Sequence, residues 1–189
     1  MDEEKKRLRR EFKARGAALT ADYRREADRA IREALLGSDT WQKARSVFLY
    51  VSVGLEPDTR ALLEAALQEG KRVYVPRCGP DRTMKAVRIG SMEELRPGAY
   101  GIPEPPEENE EAAPGDLDLA VVPCVTATRE GARLGHGAGY YDRFLRLHAC
   151  PSVCLCYGRM LADGLPTDKH DVRMDCIITE DGHSKTGYR

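Results

Sequence analysis

Three glycines alternate at Gly135, Gly137 and Gly139, with Arg133 just before them and Tyr140, Tyr141, Asp142 and Arg143 just after. Glycine opens backbone angles closed to other residues and lets a ligand approach the main chain. A run of backbone N–H groups leading into a helix is an anion cradle, because the first-turn donors are unpaired and the helix dipole favours negative charge there. An arginine on one side and a carboxylate on the other point to a phosphate and a magnesium ion. The spacing differs from the dinucleotide fingerprint, whose third glycine falls three residues after the second, and no Gly-Lys-Ser/Thr follows as in a P-loop. The glycines alone fit an ordinary strand-to-helix turn equally well. Asp142 alone fits a first-turn carboxylate that steadies a helix end.

Other residues could join this chemistry. Lys5, Arg9 and Lys13 recur every four residues and share one face of an N-terminal helix that also carries Lys6, Arg7, Arg10 and Arg15. That pattern reads as a solvated basic face, as a second approach to phosphates, or as an RNA patch. Glu56 follows an apolar strand, where ligands of α/β sheets bind, though it also suits a helix start. Tyr100 lies in a long loop and suits a lid over a flat ligand or a loop anchor. Asp175 opens the last apolar strand, a position that by itself reads as structural. His170 and Asp171 are adjacent, which alone says little about catalysis. The six cysteines, Cys78, Cys124, Cys150, Cys154, Cys156 and Cys176, form neither a paired zinc pattern nor a compact disulfide framework. They read as reduced, buried thiols rather than a zinc site built from Cys150, Cys154, Cys156 and a histidine.

The elements that must position these groups alternate. Residues 3–18 and 21–36 predict two helices, the second capped by Thr20 and closed by Gly37. A short turn over 39–44 carries the only tryptophan, Trp41. Strand 47–51, helix 57–67 and strand 72–76 make one βαβ unit of about thirty residues. Strands follow at 84–89 and 117–122, then a helix from 139 to 147, then strands at 153–157 and 176–179. Residues 96–116 are rich in proline, glycine and glutamate and predict a long surface loop. The tail 181–189 is polar and predicts fraying. Such alternation implies an α/β fold: three α/β/α layers around a mostly parallel twisted sheet, Rossmann-like, in one domain over residues 1–189 with the helices of 1–45 packed on it. Ligands would bind at the carboxyl ends of the strands, where the glycine segment falls.

The chain's 189 residues suffice for one domain with a sizeable core. With 30 basic and 31 acidic residues the net charge is -1, so no global field draws nucleic acid or an acidic membrane. No apolar run approaches the length of a transmembrane helix, and the charged N-terminus lacks the apolar core of a signal peptide. A monomeric cytoplasmic protein is the expectation.

Taken together the motifs resemble the 5-formyltetrahydrofolate cyclo-ligase family, also known as methenyltetrahydrofolate synthetases. The resemblance runs from Lys5-x-x-Leu-Arg9, through Glu56-x-x-Thr59, Val75-Pro76-Arg77 and Gly101-Ile-Pro-x-Pro105, to the stretch from His170 to Thr179. Arg133-Leu-Gly-x-Gly-x-Gly-Tyr-Tyr-Asp142 is its most specific signature. The resemblance implies ATP- and magnesium-dependent closure of 5-formyltetrahydrofolate to 5,10-methenyltetrahydrofolate, through a phosphorylated formyl group, with ADP and phosphate released. It assigns ATP to Lys5, Arg9, Arg133, Leu134, Gly135, His136, Gly137, Ala138, Gly139, Tyr140 and Tyr141. It assigns the folate to Val51, Glu56, Tyr100 and the run His136 to Tyr140, and magnesium to Asp142 and Asp175. No covalent nucleophile is implied. His136 and Ala138 fill slots where relatives often carry a basic residue or glycine, Tyr100 stands where some carry tryptophan, and Ala127-Thr128 replaces a commoner Phe-Asp pair.

Overall fold

The structure is a computed structural model that describes residues 2–187. Helices α1 (Asp2–Ala17), α2 (Ala21–Leu36) and α3 (Asp39–Lys43) lead into strand β1 (Ser46–Leu49), helix α4 (Arg60–Gln68), and strands β2 (Arg72–Cys78) and β3 (Met84–Ile89). Two-residue strands β4 (Arg96–Pro97) and β5 (Pro103–Glu104) form a small hairpin, and β6 (Leu119–Val122) returns to the sheet. A second small hairpin, β7 (Thr126–Ala127) with β8 (Arg133–Leu134), precedes helix α5 (Tyr140–Leu147). Strands β9 (Ser152–Leu155), β10 (Cys176–Thr179) and β11 (Gly182–Lys185) complete the chain.

The main sheet has seven strands in the order β11-β10-β9-β6-β1-β2-β3. Its five inner strands, β10, β9, β6, β1 and β2, run parallel, and β11 and β3 close the edges antiparallel. This is the expected mostly parallel α/β sheet with flanking helices. The fully buried strands β1, β6 and β9 are short runs with no polar alternation, because both faces are covered. From one side α4 buries Leu62, Leu63 and Ala66, each large side chain worth roughly 1.5–3 kcal/mol on burial. Helix α5 lays Phe144 on Phe48 of β1, with ring centroids 4.3 Å apart. The core is continuous from Phe12 of α1 to Ile178 of β10.

Thr20 and Gly37 cap α2 as expected; the Thr20 hydroxyl accepts from the Tyr23 N–H at 3.2 Å. Helix α4 starts at Arg60 rather than at Pro57. Residues 50–59 are tied into a knot instead: Thr59 Oγ1 donates to the Tyr50 carbonyl (2.7 Å) and accepts from the Ser52 N–H (3.0 Å), while Ser52 Oγ accepts from the Thr59 N–H (3.0 Å). The expected surface loop 96–116 is partly ordered as the β4/β5 hairpin. Its last part runs along β3, where the Arg88 N–H donates to the Glu110 carbonyl (2.8 Å) and the Ala112 N–H to Ala86 (2.9 Å). The tail expected to fray carries β11 instead, paired with β10 from Cys176↔Lys185 to Thr179↔Gly182. An edge strand needs only one partner, so polar Gly-His-Ser-Lys suffices there. The last two residues of that tail, Tyr188 and Arg189, lie outside the described residues. Helix α1 crosses the carboxyl end of the sheet. Its Gly16 abuts Leu55, beyond β1, and Met160, beyond β9.

Candidate active site at the carboxyl edge of the sheet

The glycine loop hangs off the carboxyl end of β6 and is returned to it by the β7/β8 hairpin, where the Val125 N–H donates to the Leu134 carbonyl (2.8 Å). Gly137 and Gly139 have φ of +104° and +71°, which L side chains rarely adopt. Each of the three glycines also faces a guanidinium. A Cβ on Gly135 would lie 3.0 Å from Arg133 Nη1, one on Gly137 3.1 Å from Arg9 Cζ, and one on Gly139 2.9 Å from Arg143 Nη1. The glycines therefore serve both backbone shape and close approach of positive charge. Gly139 is the residue immediately before α5, so the unpaired N–H groups of Tyr140 to Asp142 open toward this loop.

Helix α1 supplies two predicted cations. Arg9 Nε donates to the Gly135 carbonyl at 2.8 Å. Lys5 is buried and ion-paired, its Nζ 2.6 Å from Asp171 Oδ2 and 3.0 Å from Asp168 Oδ2. Burial opposes the Lys5 charge, but hydrogen bonds to Asp171 and Asp168 outweigh it and raise the ammonium pKa overall. Lys5 is thus a neutralised member of a carboxylate cluster, not the free phosphate-reaching cation expected. Elsewhere on α1, Lys6 pairs with Glu3 and Arg7 with Glu11 on the exposed surface.

Arg133 also departs from expectation. Its side chain is only 2% exposed, beneath the loop, where it donates to Asp142 Oδ2 (3.2 Å) and to the Pro123 carbonyl (3.2 Å) and lies 5.5 Å from the Tyr141 ring centroid. Its Nε is buried without a partner among the described residues. This arginine lies beneath the loop and orients Asp142. Tyr141 packs between Arg133 and Phe48, and burial raises its hydroxyl pKa.

Asp142 sits in the first turn of α5, with Oδ1 accepting from the Val172 N–H at 3.0 Å. Asp175 lies elsewhere. It precedes β10 at the amino end of the parallel strands, where Oδ2 accepts from the Ser152 N–H and Oγ, both at 2.8 Å. The Asp175 N–H in turn donates to Ser152 Oγ (3.2 Å). Asp118 and Ser46 repeat this arrangement at the start of β6 and β1: Asp118 Oδ2 accepts from the Ser46 N–H (2.9 Å) and Oγ (3.1 Å), and the Asp118 N–H donates back to Ser46 Oγ (3.1 Å). Asp175, expected to join Asp142 at magnesium, is in this structure a strand-start clamp at the opposite end of the parallel strands from the glycine loop. Asp171, noticed in the sequence only beside His170, precedes the Val172 whose N–H binds Asp142, and its own Oδ2 is taken by Lys5 Nζ and the Asp168 N–H.

The residues expected on the substrate side lie across from the loop. Val51 is buried at the end of β1. Glu56 is held by the Val53 N–H, which donates to Oε2 at 2.9 Å, and its Oε1 lies 3.6 Å from His136 Nε2 of the glycine loop. Tyr100 forms the tip of the β4/β5 hairpin at φ +58°, 77% exposed, and its hydroxyl lies 3.3 Å from that of Tyr140. The two rings meet edge to face at 6.4 Å. The Tyr100 hydrogen bond pushes the Tyr140 hydroxyl pKa up to about 12. Gly98 at the base of this hairpin makes room for Glu104, whose side-chain carbons would lie 2.5–2.8 Å from any Cβ there. Glu104 Oε1 accepts from the Cys78 N–H (3.0 Å) and so moors the hairpin to β2. Leu134 is buried in β8, and Ala138 exposes its carbonyl to Arg143.

Sequence reasoning missed Asp168 and Glu104 as contributors, and noted Arg143 only as part of the motif's flank without giving it a role. A charged residue four positions after Gly139 was the available signal for Arg143, since residues four apart on a helix share a face. For Asp168 and Glu104 no local signal existed, because their partners lie far away in the chain. Cys124, Cys150, Cys154 and Cys156 are buried, and Cys78 and Cys176 half-buried.

The fold and site together are a mostly parallel α/β sheet with a glycine loop set among arginines and aromatic residues at its carboxyl edge. The chain matches the 5-formyltetrahydrofolate cyclo-ligase family over residues 1–180. It is 36% identical to 5-formyltetrahydrofolate cyclo-ligase of Mycolicibacterium smegmatis, covering 82% of this chain and 87% of that protein. Identity to the mouse protein of the same name is 28%, covering 94% of each. The solution structure of Aquifex aeolicus 5,10-methenyltetrahydrofolate synthetase superposes with a TM-score of 0.86 at 30% identity, over 98% of this chain and 94% of that one. The chain therefore belongs to the 5-formyltetrahydrofolate cyclo-ligase family.

Proposed function

We propose that this enzyme closes 5-formyltetrahydrofolate to 5,10-methenyltetrahydrofolate at the expense of ATP. The observation that carries the reading is the convergence on one sheet edge of the glycine loop, Arg9, Glu56 and the Tyr100–Tyr140 pair. The formyl oxygen attacks the γ-phosphorus and ADP departs. The neighbouring nitrogen at position 10 then adds to the activated carbon and gives up its proton to solvent, and the carbon–oxygen bond breaks to release phosphate. Phosphorylation is needed because an amide oxygen is otherwise a poor leaving group. The protein's part is to hold donor and acceptor in line and to offset the charge on the phosphoryl oxygens.

Backbone N–H groups from residues 135–141 and Arg9 bind the phosphates; Arg133 fixes the loop and Asp142 from below. Glu56 accepts from the N–H groups of the pterin, held for that task by Val53 and 11% exposed. Val51 forms the floor, Tyr140 separates the two substrates, and Tyr100 covers them.

Magnesium fits this arrangement. Among the described residues no three or more His, Cys, Asp or Glu side chains form a protein-only cage. Magnesium, however, is commonly held by one or two carboxylates together with substrate phosphates and water. Asp142, at 22% side-chain exposure, would hold it together with substrate phosphate and water; there it would supply positive charge to the phosphates. Among the described residues no helix is long and apolar enough to cross a membrane. The decisive experiment is to mix the enzyme with 5-formyltetrahydrofolate, ATP and magnesium and follow the absorbance of the conjugated methenyl product. Product formation that needs all three supports the proposal; equal formation without ATP sinks it.

A further inference from the structure

We propose that Arg143 is a further phosphate-binding residue of the nucleotide site; this rests on reading the glycine loop as that site. The argument begins with a count of free positive charge. Lys5 is compensated by Asp168 and Asp171, and Arg133 is buried and shared with Asp142. Of the cations assigned to the triphosphate, only Arg9 has no carboxylate partner among the described residues. One guanidinium is little to set against a polyanion, even with magnesium bound.

Arg143 supplies the missing charge. It lies four residues after Gly139 on the exposed side of α5. Its Nε and Nη2 donate to the Arg82 carbonyl (3.1 and 2.5 Å), and Nη2 also donates to the Ala138 carbonyl (2.8 Å). Carbonyls orient a guanidinium without cancelling its charge. Its other terminal nitrogen, Nη1, makes no hydrogen bond among the described residues and lies in front of Gly139. A Cβ there would be only 2.9 Å away. Two N–H donors are thus presented where the α5 amides open, and the guanidinium sits 5.8 Å from the Tyr140 ring centroid. The support comes from a turn at Asp81 and Arg82, both held at left-handed φ (54° and 58°), which presents the Arg82 carbonyl to Arg143. Non-glycine residues in that region are uncommon, and strain of this kind persists only where the surroundings hold it.

Calorimetric titration with a non-hydrolysable ATP analogue plus magnesium, and separately with 5-formyltetrahydrofolate, tests the assignment. In Arg143→Gln the analogue's affinity should fall by about 10–100-fold, the scale of a charged hydrogen bond, with folate affinity held within about twofold. Arg143→Lys keeps the charge but loses the fork, so its loss should be smaller. If Arg143→Gln does not fold, Arg143→Lys carries the test alone. Unchanged nucleotide affinity in the folded variants, or an equal loss for both ligands, overturns the proposal. Failure of the unsubstituted protein to bind the analogue would instead overturn the nucleotide reading of the loop.

Discussion

Asp142 and Asp175 show how little a carboxylate's type says about its work. Asp142 holds the Val172 N–H and Arg133 beside the glycine loop, whereas Asp175 repeats at β10 what Asp118 does at β6. Asp142→Asn should lower kcat/KM by more than about 100-fold, the scale of losing one preorganised electrostatic group, with the melting curve little changed. Asp175→Ala should do the reverse. Turnover per folded molecule stays the same, while stability drops by about 1–3 kcal/mol because Ser152 loses its acceptor, as urea unfolding would show. A third residue predicts a pH effect. His148 is buried against Phe144 with Nδ1 unpartnered; burial lowers its pKa below 6.5, against the opposing pull of Glu111 and Asp116. Between that lowered value and 6.5 the unfolded chain binds more protons than the folded one. Stability is therefore whole above 6.5 and declines as the pH falls toward the folded pKa. Thermal melts at about pH 7.5 and about pH 5.5 should show that decline, and His148→Phe should reduce it. Asp171 was visible in the sequence but unreadable there, because its meaning comes from Lys5, which lies 166 residues away.

The glycine loop and the lid are the elements on which function turns. Gly139→Ala would force a Cβ into a left-handed position, at about 1–2 kcal/mol, and against Arg143. Nucleotide affinity should fall with secondary structure intact by circular dichroism. Tyr100→Ala should raise the KM for folate and leave that for ATP near its original value; the opposite split in steady-state kinetics would remove Tyr100 from the folate side. The long elements were legible because their signals are local. Thr20 and Gly37 cap α2 at the expected positions, and the run from Val47 is a strand. The two-residue hairpins carry no such signal, since two residues have no periodicity. The β4/β5 hairpin exists because Glu104 fills the space over Gly98 and bonds β2. The late start of α4 likewise follows from the tie between Ser52 and Thr59, a pairing of side chains that composition does not reveal.

Across the whole molecule, the parallel α/β class followed from alternation, but the sheet's edges did not. A polar tail and an edge strand have similar composition, and only pairing with β10 tells them apart. Removing residues 182–189 should bare the β10 backbone. The intact chain should elute as a monomer, and the truncated one should lose stability and self-associate in size-exclusion chromatography. Helix α1 is different, for it completes the site rather than the sheet. The bond from Lys5 to Asp168 and Asp171 joins the beginning of the chain to its last quarter. A ribosome makes α1 first and the carboxylates that receive it many seconds later, at about 5–20 residues per second. Throughout that interval the half-made chain lacks the tie between its two ends, so on the proposed function a nascent chain should consume no ATP before its synthesis is nearly finished.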